Sequence, residues 1–294
     1  GTGGGSSLDF WTYKQVTAAH TRTFSLCFPD VDGDGDLDIA SGRYVYRNPG
    51  SPMTGSWTQT ALPGSAHAFA TVDVDGDNLS DLIAQQDNVS GSRIDIYWIE
   101  AANTTATSWS VPILIGNVPR GNEPEGFQGY AVAQVVAGGL PEVIVNSPQG
   151  LYYFSVPASN PGAGNWPRTL IAANNSEEGI GVADIDGDGD LDISFTAGGV
   201  NEVKWARNPG NGTGSWSVFV IGTFSEADWP DRCAAADVNG DGRVDIIVTE
   251  ENAGGSPDAL VCWWEQPASG ATSGNWVRRT IATQYTMNSM DVGD

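Results

Sequence analysis

Apolar positions in this chain come in short runs rather than at helical spacing. Alternating runs of small residues at 68–74 and 179–185 lead into clusters of aspartate and glycine, and β-branched runs such as 245–249 lead out of them. Alternation over a few residues turns one face of a strand inward, so these runs predict a first and a second strand. A third, aromatic strand is predicted at 44–47, 94–99, 151–154, 203–206 and 260–265. Turns rich in Asn, Pro and Gly follow, as at Asn48-Pro49-Gly50, Asn160-Pro161-Gly162 and Asn208-Pro209-Gly210. A fourth strand is expected to open with tryptophan, at Trp57, Trp109, Trp166, Trp216 and Trp276, and Trp11 opens an orphan copy ahead of the first cluster. Indoles recurring at one structural position read as packing residues rather than as sugar-stacking platforms.

The whole unit repeats. Clear copies of the acidic segment are DVDGDGDLDI at 30–39, DVDGDNLSDLI at 73–83, DIDGDGDLDI at 184–193 and DVNGDGRVDI at 237–246; QVVAGGLPEVI at 134–144 is a degenerate copy, and SMDVGD at 289–294 begins a sixth. Starts at 30, 73, 134, 184, 237 and 294 are separated by 43, 61, 50, 53 and 57 residues, the length of a four-stranded propeller blade. The expected fold class is therefore all-β, a β-propeller of four-stranded blades, with five full blades plus partial strands in this chain. First and fourth strands outnumber second and third ones, and an open ring would leave bare sheet edges. The complete protein is expected to have roughly seven blades, with the Trp11 strand closing the last; strands supplied by another chain are the alternative. Residues 1–8 read as a flexible linker or the scar of a removed segment, and 9–294 as the propeller.

The acidic segments have the chemistry of a hard-cation cage. Calcium takes six to eight oxygens, and carboxylates at alternate positions of a tight loop all turn inward. The first loop offers Asp30, Asp32, Asp34 and Asp38, the second Asp73, Asp75, Asp77 and Asp81, and the fourth Asp184, Asp186, Asp188 and Asp192. The fifth offers Asp237, Asn239, Asp241 and Asp245, with one neutral ligand and a weaker expected affinity. At the seventh place the main-chain carbonyls of Asp36, Leu79, Asp190 and Arg243 complete each set. Asn78 stands where the others have a bend glycine, a substitution that left-handed geometry tolerates. Only Glu142 is left in the third loop, which is expected to hold no metal. The expected cofactor is Ca2+ at about four sites. The residues after the loops, such as Val244, Ile246, Ile247 and Val248, favour a strand, which excludes an EF-hand.

Composition narrows the function. Thirteen basic against thirty-six acidic residues give a formal charge of -23, which repels nucleic acid and anionic membrane surfaces. No apolar stretch reaches the length of a membrane span. Cys27, Cys233 and Cys262 are an odd set, expected as buried structural residues.

With their preceding small-residue strands, these loops resemble the FG-GAP or VCBS repeats of integrin-type propellers and of many extracellular proteins. The resemblance covers nearly all of 10–294. It implies a secreted, calcium-binding propeller, in a family that spans adhesion modules, lectins and propellers attached to polysaccharide lyases and sugar dehydratases.

Binding is expected at the end of the first strands away from the aspartate loops. Six residues before each first aspartate stand Phe24, His67, Gln128, Glu178, Asp231 and Asn288, flanked by Arg22, Glu177, Trp229 and Arg232, with Arg43, Gln86, Asp87, Asn146, Glu250 and Glu251 at the second-strand exits. His67, Glu178 and Asp231 are the candidates for acid, base or second-metal chemistry, and Trp229, Arg232, Arg43 and Glu177 for ligand contact. The reading favours a noncatalytic recognition module for carbohydrate or an extracellular protein, attached to further domains of the same polypeptide. Its alternatives are the propeller of a polysaccharide- or sugar-acting enzyme of lyase or dehydratase type, and a structural subunit of an extracellular assembly.

Overall fold

A computed structural model describes residues 14–18, 25–51, 53–64, 66–86, 91–120, 126–173, 178–197, 201–224, 229–251, 259–284 and 290–293. Twenty strands there form five four-stranded antiparallel sheets, each a meander of four consecutive strands. The sheets are β1 (Leu26–Cys27), β2 (Ile39–Ser41), β3 (Tyr44–Arg47) and β4 (Thr58–Ala61); β5 (Ala66–Val72), β6 (Asp81–Gln86), β7 (Arg93–Ile99) and β8 (Ile113–Pro119); β9 (Gly129–Ala133), β10 (Glu142–Ser147), β11 (Gly150–Phe154) and β12 (Arg168–Ala173); β13 (Ile180–Ala183), β14 (Asp192–Ala197), β15 (Glu202–Arg207) and β16 (Ser217–Thr223); and β17 (Trp229–Ala236), β18 (Asp245–Glu251), β19 (Ala259–Glu265) and β20 (Val277–Gln284). Sequence neighbours pair because a short connection closes an antiparallel hairpin at little entropic cost.

First strands meet in series: β1 packs on β5, β5 on β9, β9 on β13 and β13 on β17. Small side chains permit this approach. A Cβ on Gly181 would meet the Ala234 and Ala235 backbone at 2.7 Å, and one on Gly129 would meet the Glu178 carbonyl oxygen at 1.8 Å. Away from this seam the second and third strands carry bulkier apolar residues, and four clusters fill the gaps between successive sheets. One joins sheets one and two through Val45, Leu62, Leu82 and Ile99, and the next joins sheets two and three through Phe69, Ile96, Phe154 and Trp166. Ile144, Tyr153, Phe195 and Trp216 join three and four, and Trp205, Ile221, Trp264 and Trp276 join four and five. The core is thus a stack of sheet faces, stabilised by about 25 cal/mol for each Å² of apolar surface taken from water.

The third strands begin or end within one residue of their predicted bounds. Tryptophan stands differently. Trp57, Trp166, Trp216 and Trp276 sit in the turn ahead of the fourth strand, and Trp109 forms an isolated bridge to Ala101. The reason is the indole N–H, which reaches turn carbonyls: Trp166 donates to Pro161 O at 3.0 Å, Trp216 to Gly212 O at 3.2 Å and Trp276 to Ala271 O at 2.9 Å. Among the described residues the sixth predicted first strand is not formed, since 290–293 carry no strand. Trp11, Arg22, Phe24, Asp87, Glu177, Asn288 and Asp294 lie outside the described residues. Cys27, Cys233 and Cys262 are buried and free, and burial pushes each thiol up to about 12.

Candidate metal centres and the opposite rim

Each aspartate loop folds around its first carboxylate. Asp30 accepts the N–H groups of Gly33 at 2.8 Å and Gly35 at 3.1 Å; Asp73 accepts those of Gly76 and Asn78, Asp184 those of Gly187, Asp188 and Gly189, and Asp237 those of Gly240, Asp241 and Gly242. Curling the backbone around one side chain needs a left-handed residue at the sixth place. Gly35 is there at φ 88°, and Asn78 takes the same region at φ 68°.

The carboxylate at the ninth place has another task, which sequence reasoning missed. Asp38 is buried; it accepts the N–H of Val31 at 3.0 Å with one oxygen and that of Asn48 at 2.7 Å with the other. Asp192 does the same with Ile185 and Asn208, and Asp245 with Val238 and Gln266. Asp81 takes the N–H of Val74. Glu142 holds Val135 and Val136 in the third loop. These carboxylates pin the loop to the sheet. Burial pushes Asp81 and Asp192 up to about 7 and moves Asp38, Asp245 and Glu142 in the same direction.

The first, third and ninth carboxylates converge in three loops. Ligand oxygens of Asp30, Asp32 and Asp38 lie within 4.8 Å of one another, as do those of Asp73, Asp75 and Asp81 and those of Asp184, Asp186 and Asp192. Asp32 Oδ1 and Asp186 Oδ1 are buried without a hydrogen-bond partner. All-oxygen donors with orphaned buried anionic atoms fit a hard divalent cation. Asp34, Asp77 and Asp188, at the fifth place, are outside these clusters; each accepts the N–H two residues on. In the fifth loop Asp241 pairs with Arg243. Asp36, Leu79, Asp190 and Arg243 occupy the seventh places, and Asn239 the third place of the fifth loop.

At the other end of the first strands the rim is stitched from sheet to sheet. Second-strand side chains Gln85, Asn146 and Thr196, all buried, donate to the carbonyls of Phe127, Glu178 and Asp231 at 3.0, 3.1 and 3.1 Å. Asn146, a predicted rim residue, is therefore a buried tie between sheets. Glu178 and Asp231 are brought together by Arg232, whose Nη1 lies 3.1 Å from an oxygen of each. Its Nη2 donates to Gln128 Oε1 at 2.7 Å. The cluster thus joins sheets three, four and five. A bulge in β17 between Pro230 and Cys233 puts Asp231 and Arg232 side by side. Asp231 is almost fully buried and Oδ2 has no aligned donor; desolvation raises its pKa, opposed by Glu178 and Arg232.

Trp229 opens β17 and is 59% exposed. His67 comes from sheet two, half-buried on β5 opposite Gln85. Arg43 lies in the turn between β2 and β3 and donates to Gly64 O at 2.8 Å. Glu250 is fully buried and accepts the N–H of Leu260, while Glu251 ends β18.

A family model of the FG-GAP-like repeat matches residues 30–84 and 184–248. No curated protein matches the chain. Among solved structures, the V. cholerae biofilm matrix protein Bap1 is similar at 15% identity with a TM-score of 0.44, over 82% of this chain and 38% of that one. No described helix is long and apolar enough to cross a membrane.

Proposed function

We propose, from the premise that this chain carries FG-GAP-like repeats, that it is an extracellular, calcium-stabilised β-propeller module that recognises carbohydrate through the rim around Trp229, Arg232 and Glu178. The calcium part is carried by the convergence of three carboxylates in each of three loops with orphaned buried oxygens in two of them. Here Asp30, Asp73, Asp184 and Asp237 cradle the loop, and the third-place side chains Asp32, Asp75, Asp186 and Asn239 face the ion. A cation there supplies the positive charge that buried carboxylates otherwise lack, tying first strand to second. In this proposal the five sheets of the described residues, stacked in series, are part of a ring whose outer faces further strands cover.

Support for a sugar ligand is local. An exposed indole beside a charged, hydrogen-bonding cluster offers a stacking face with donors and acceptors at its edge. Calcium titration by calorimetry, followed by glycan-array binding of the loaded protein, tests both parts. We expect binding at the acidic loops, and glycan capture that disappears in Trp229→Ala. Absence of calcium binding overturns the first part, and capture unaffected by Trp229→Ala the second.

A second reading rests on the Glu178 and Asp231 pair. Two adjacent carboxyls of unequal burial are the pattern of an acid and base acting on one substrate, which suits a polysaccharide- or sugar-acting enzyme. Release of product from a polysaccharide, lost in Asp231→Asn while glycan capture persists, would establish it.

A further inference from the structure

The four acidic loops share a backbone path but not a charge count, and one neighbouring position makes much of the difference. The residues Tyr46, Ile99, Ala206 and Trp264 pair in register with Ile39, Leu82, Ile193 and Ile246, directly after each ninth-place carboxylate. The next residue along the chain therefore stands beside the loop: Arg47, Glu100 just past β7, Arg207 and Glu265 respectively. In the fourth loop, Arg207 Nε lies 2.5 Å from Asp186 Oδ2, and Nη2 lies 2.9 Å from Asp188 Oδ2. In the first loop Arg47 makes one such contact, Nη1 to Asp32 Oδ2 at 3.2 Å. The second loop reverses the sign, because Glu100 stands within Coulombic range of Asp75 and Asp77. In the fifth loop Asn239 brings no charge, Arg243 pairs with Asp241, and Glu265 is taken up by Arg279 at 2.6 Å.

Resting on the cation-binding reading, we propose that the four loops bind a divalent cation in a graded series, the second tightest and the fifth weakest, and that Arg207 is a built-in counter-ion which an incoming ion displaces. The number of ligand charges and the rigidity of the cage set affinity in oxygen-ligated sites. Arg207 holds Asp186 Oδ2 while Oδ1 is the oxygen left without a partner, so an ion on Oδ1 would share the carboxylate with the guanidinium, and two cations that close repel strongly. Arg207 has somewhere to go. Its side chain is 43% exposed and borders a cavity of about 260 Å³ lined also by Pro209, Gly210, Ser215 and Ser217. With the ion absent, the guanidinium offsets part of the charge of Asp186 and Asp188; with the ion present, its own charge becomes a cost. One side chain thus stabilises the metal-free loop and weakens the metal-loaded one.

Opposite signs make the test. Calcium is titrated into the full chain by calorimetry, and melting temperature is read in EDTA and in saturating Ca2+. Arg207→Gln is expected to tighten one site by roughly ten-fold, lower the melting temperature in EDTA and raise it in Ca2+. Arg207→Lys, which keeps the charge, should stay near the wild type. Glu100→Gln should weaken the tightest site by roughly ten-fold. A lower melting temperature for Arg207→Gln in both solutions, with binding unchanged, would make the arginine a plain surface tie and overturn the displacement. Four indistinguishable sites in the wild type would overturn the series. A wild type that binds no calcium removes the cation reading itself, and the series with it.

Discussion

The second and third loops do the same structural job with different chemistry. Residues 73–81 and 134–142 both join a first strand to a second, both bend through left-handed residues at the sixth place, Asn78 and Gly139, and both are pinned by a buried carboxylate, Asp81 or Glu142. Only the former carries converging acids at its first and third places. The ninth-place carboxylate is thus common to both loops and the first-place Asp73 curls the backbone of its own, while the third-place acid, Asp75, has no counterpart in the third loop and is surplus to the fold. Surplus clustered charge on a loop that folds without it points to a ligand.

The comparison is broken most directly at the pins. Glu142→Ala leaves the partly buried N–H of Val136 without an acceptor and that of Val135 with Ala133 O alone, at 3.0 Å, and about 3 kcal/mol of stability should be lost with the two charge-assisted bonds. Chemical denaturation should find the same loss in EDTA and in Ca2+. A loss confined to Ca2+ would mean that the third loop also holds an ion.

Acidity sharpens the contrast. Asp81 and Asp192 are raised from 3.8 to about 7 by burial, so the folded, metal-free protein holds protons that the unfolded chain has released. Their contribution is complete below about 4 and lost as pH rises through about 7. In EDTA the melting temperature should therefore fall across this window. In Ca2+ the trend should reverse, because ligands must be ionised to bind the ion, and a site at a hundred times its Kd adds about 2.7 kcal/mol. Parallel slopes in the two solutions would count against metal at these loops.

The smallest effect concerns the ties between sheets. Asn208 donates to Val135 O of the third loop at 2.9 Å, and Gln266 to Ile185 O of the fourth at 2.7 Å. In Asn208→Ala the third-loop carbonyl loses its partner, as do Leu191 O and the N–H groups of Gly210 and Gly212, with an expected cost of about 2 kcal/mol. Faster hydrogen exchange limited to 134–142 and 208–212 would show the tie to be local, whereas exchange rising in every sheet would show that the stack depends on it.

Much of this architecture was legible in the chain itself. The aspartate and glycine periodicity located every described loop, and aromatic runs located the third strands, as with Tyr44–Arg47, whose bounds are those of β3. For the first strands the pattern is less exact: alternation places one at 68–74 where β5 is Ala66–Val72, and one at 179–185 where β13 is Ile180–Ala183. The alternation does continue to Val74, but the Val74 N–H leaves the ladder for Asp81 Oδ2, so a buried apolar residue sits outside the strand. Period and turn chemistry are local properties, and they fix where an element lies within a residue or two.

Contacts between repeats have no such local signature. Gln128 and Arg232 are far apart in the chain, yet their side chains meet at 2.7 Å; nothing in either repeat announces the other. Likewise Arg47, Glu100, Arg207 and Glu265 look like ordinary strand-end residues until antiparallel register sets them beside the acidic loops. By itself the sequence determined the repeat, the strands and the acids that curl each loop, because those depend on near neighbours along the chain. The tertiary structure alone decided which charges face one another, because that depends on how neighbouring strands and sheets stack, which sequence spacing does not record.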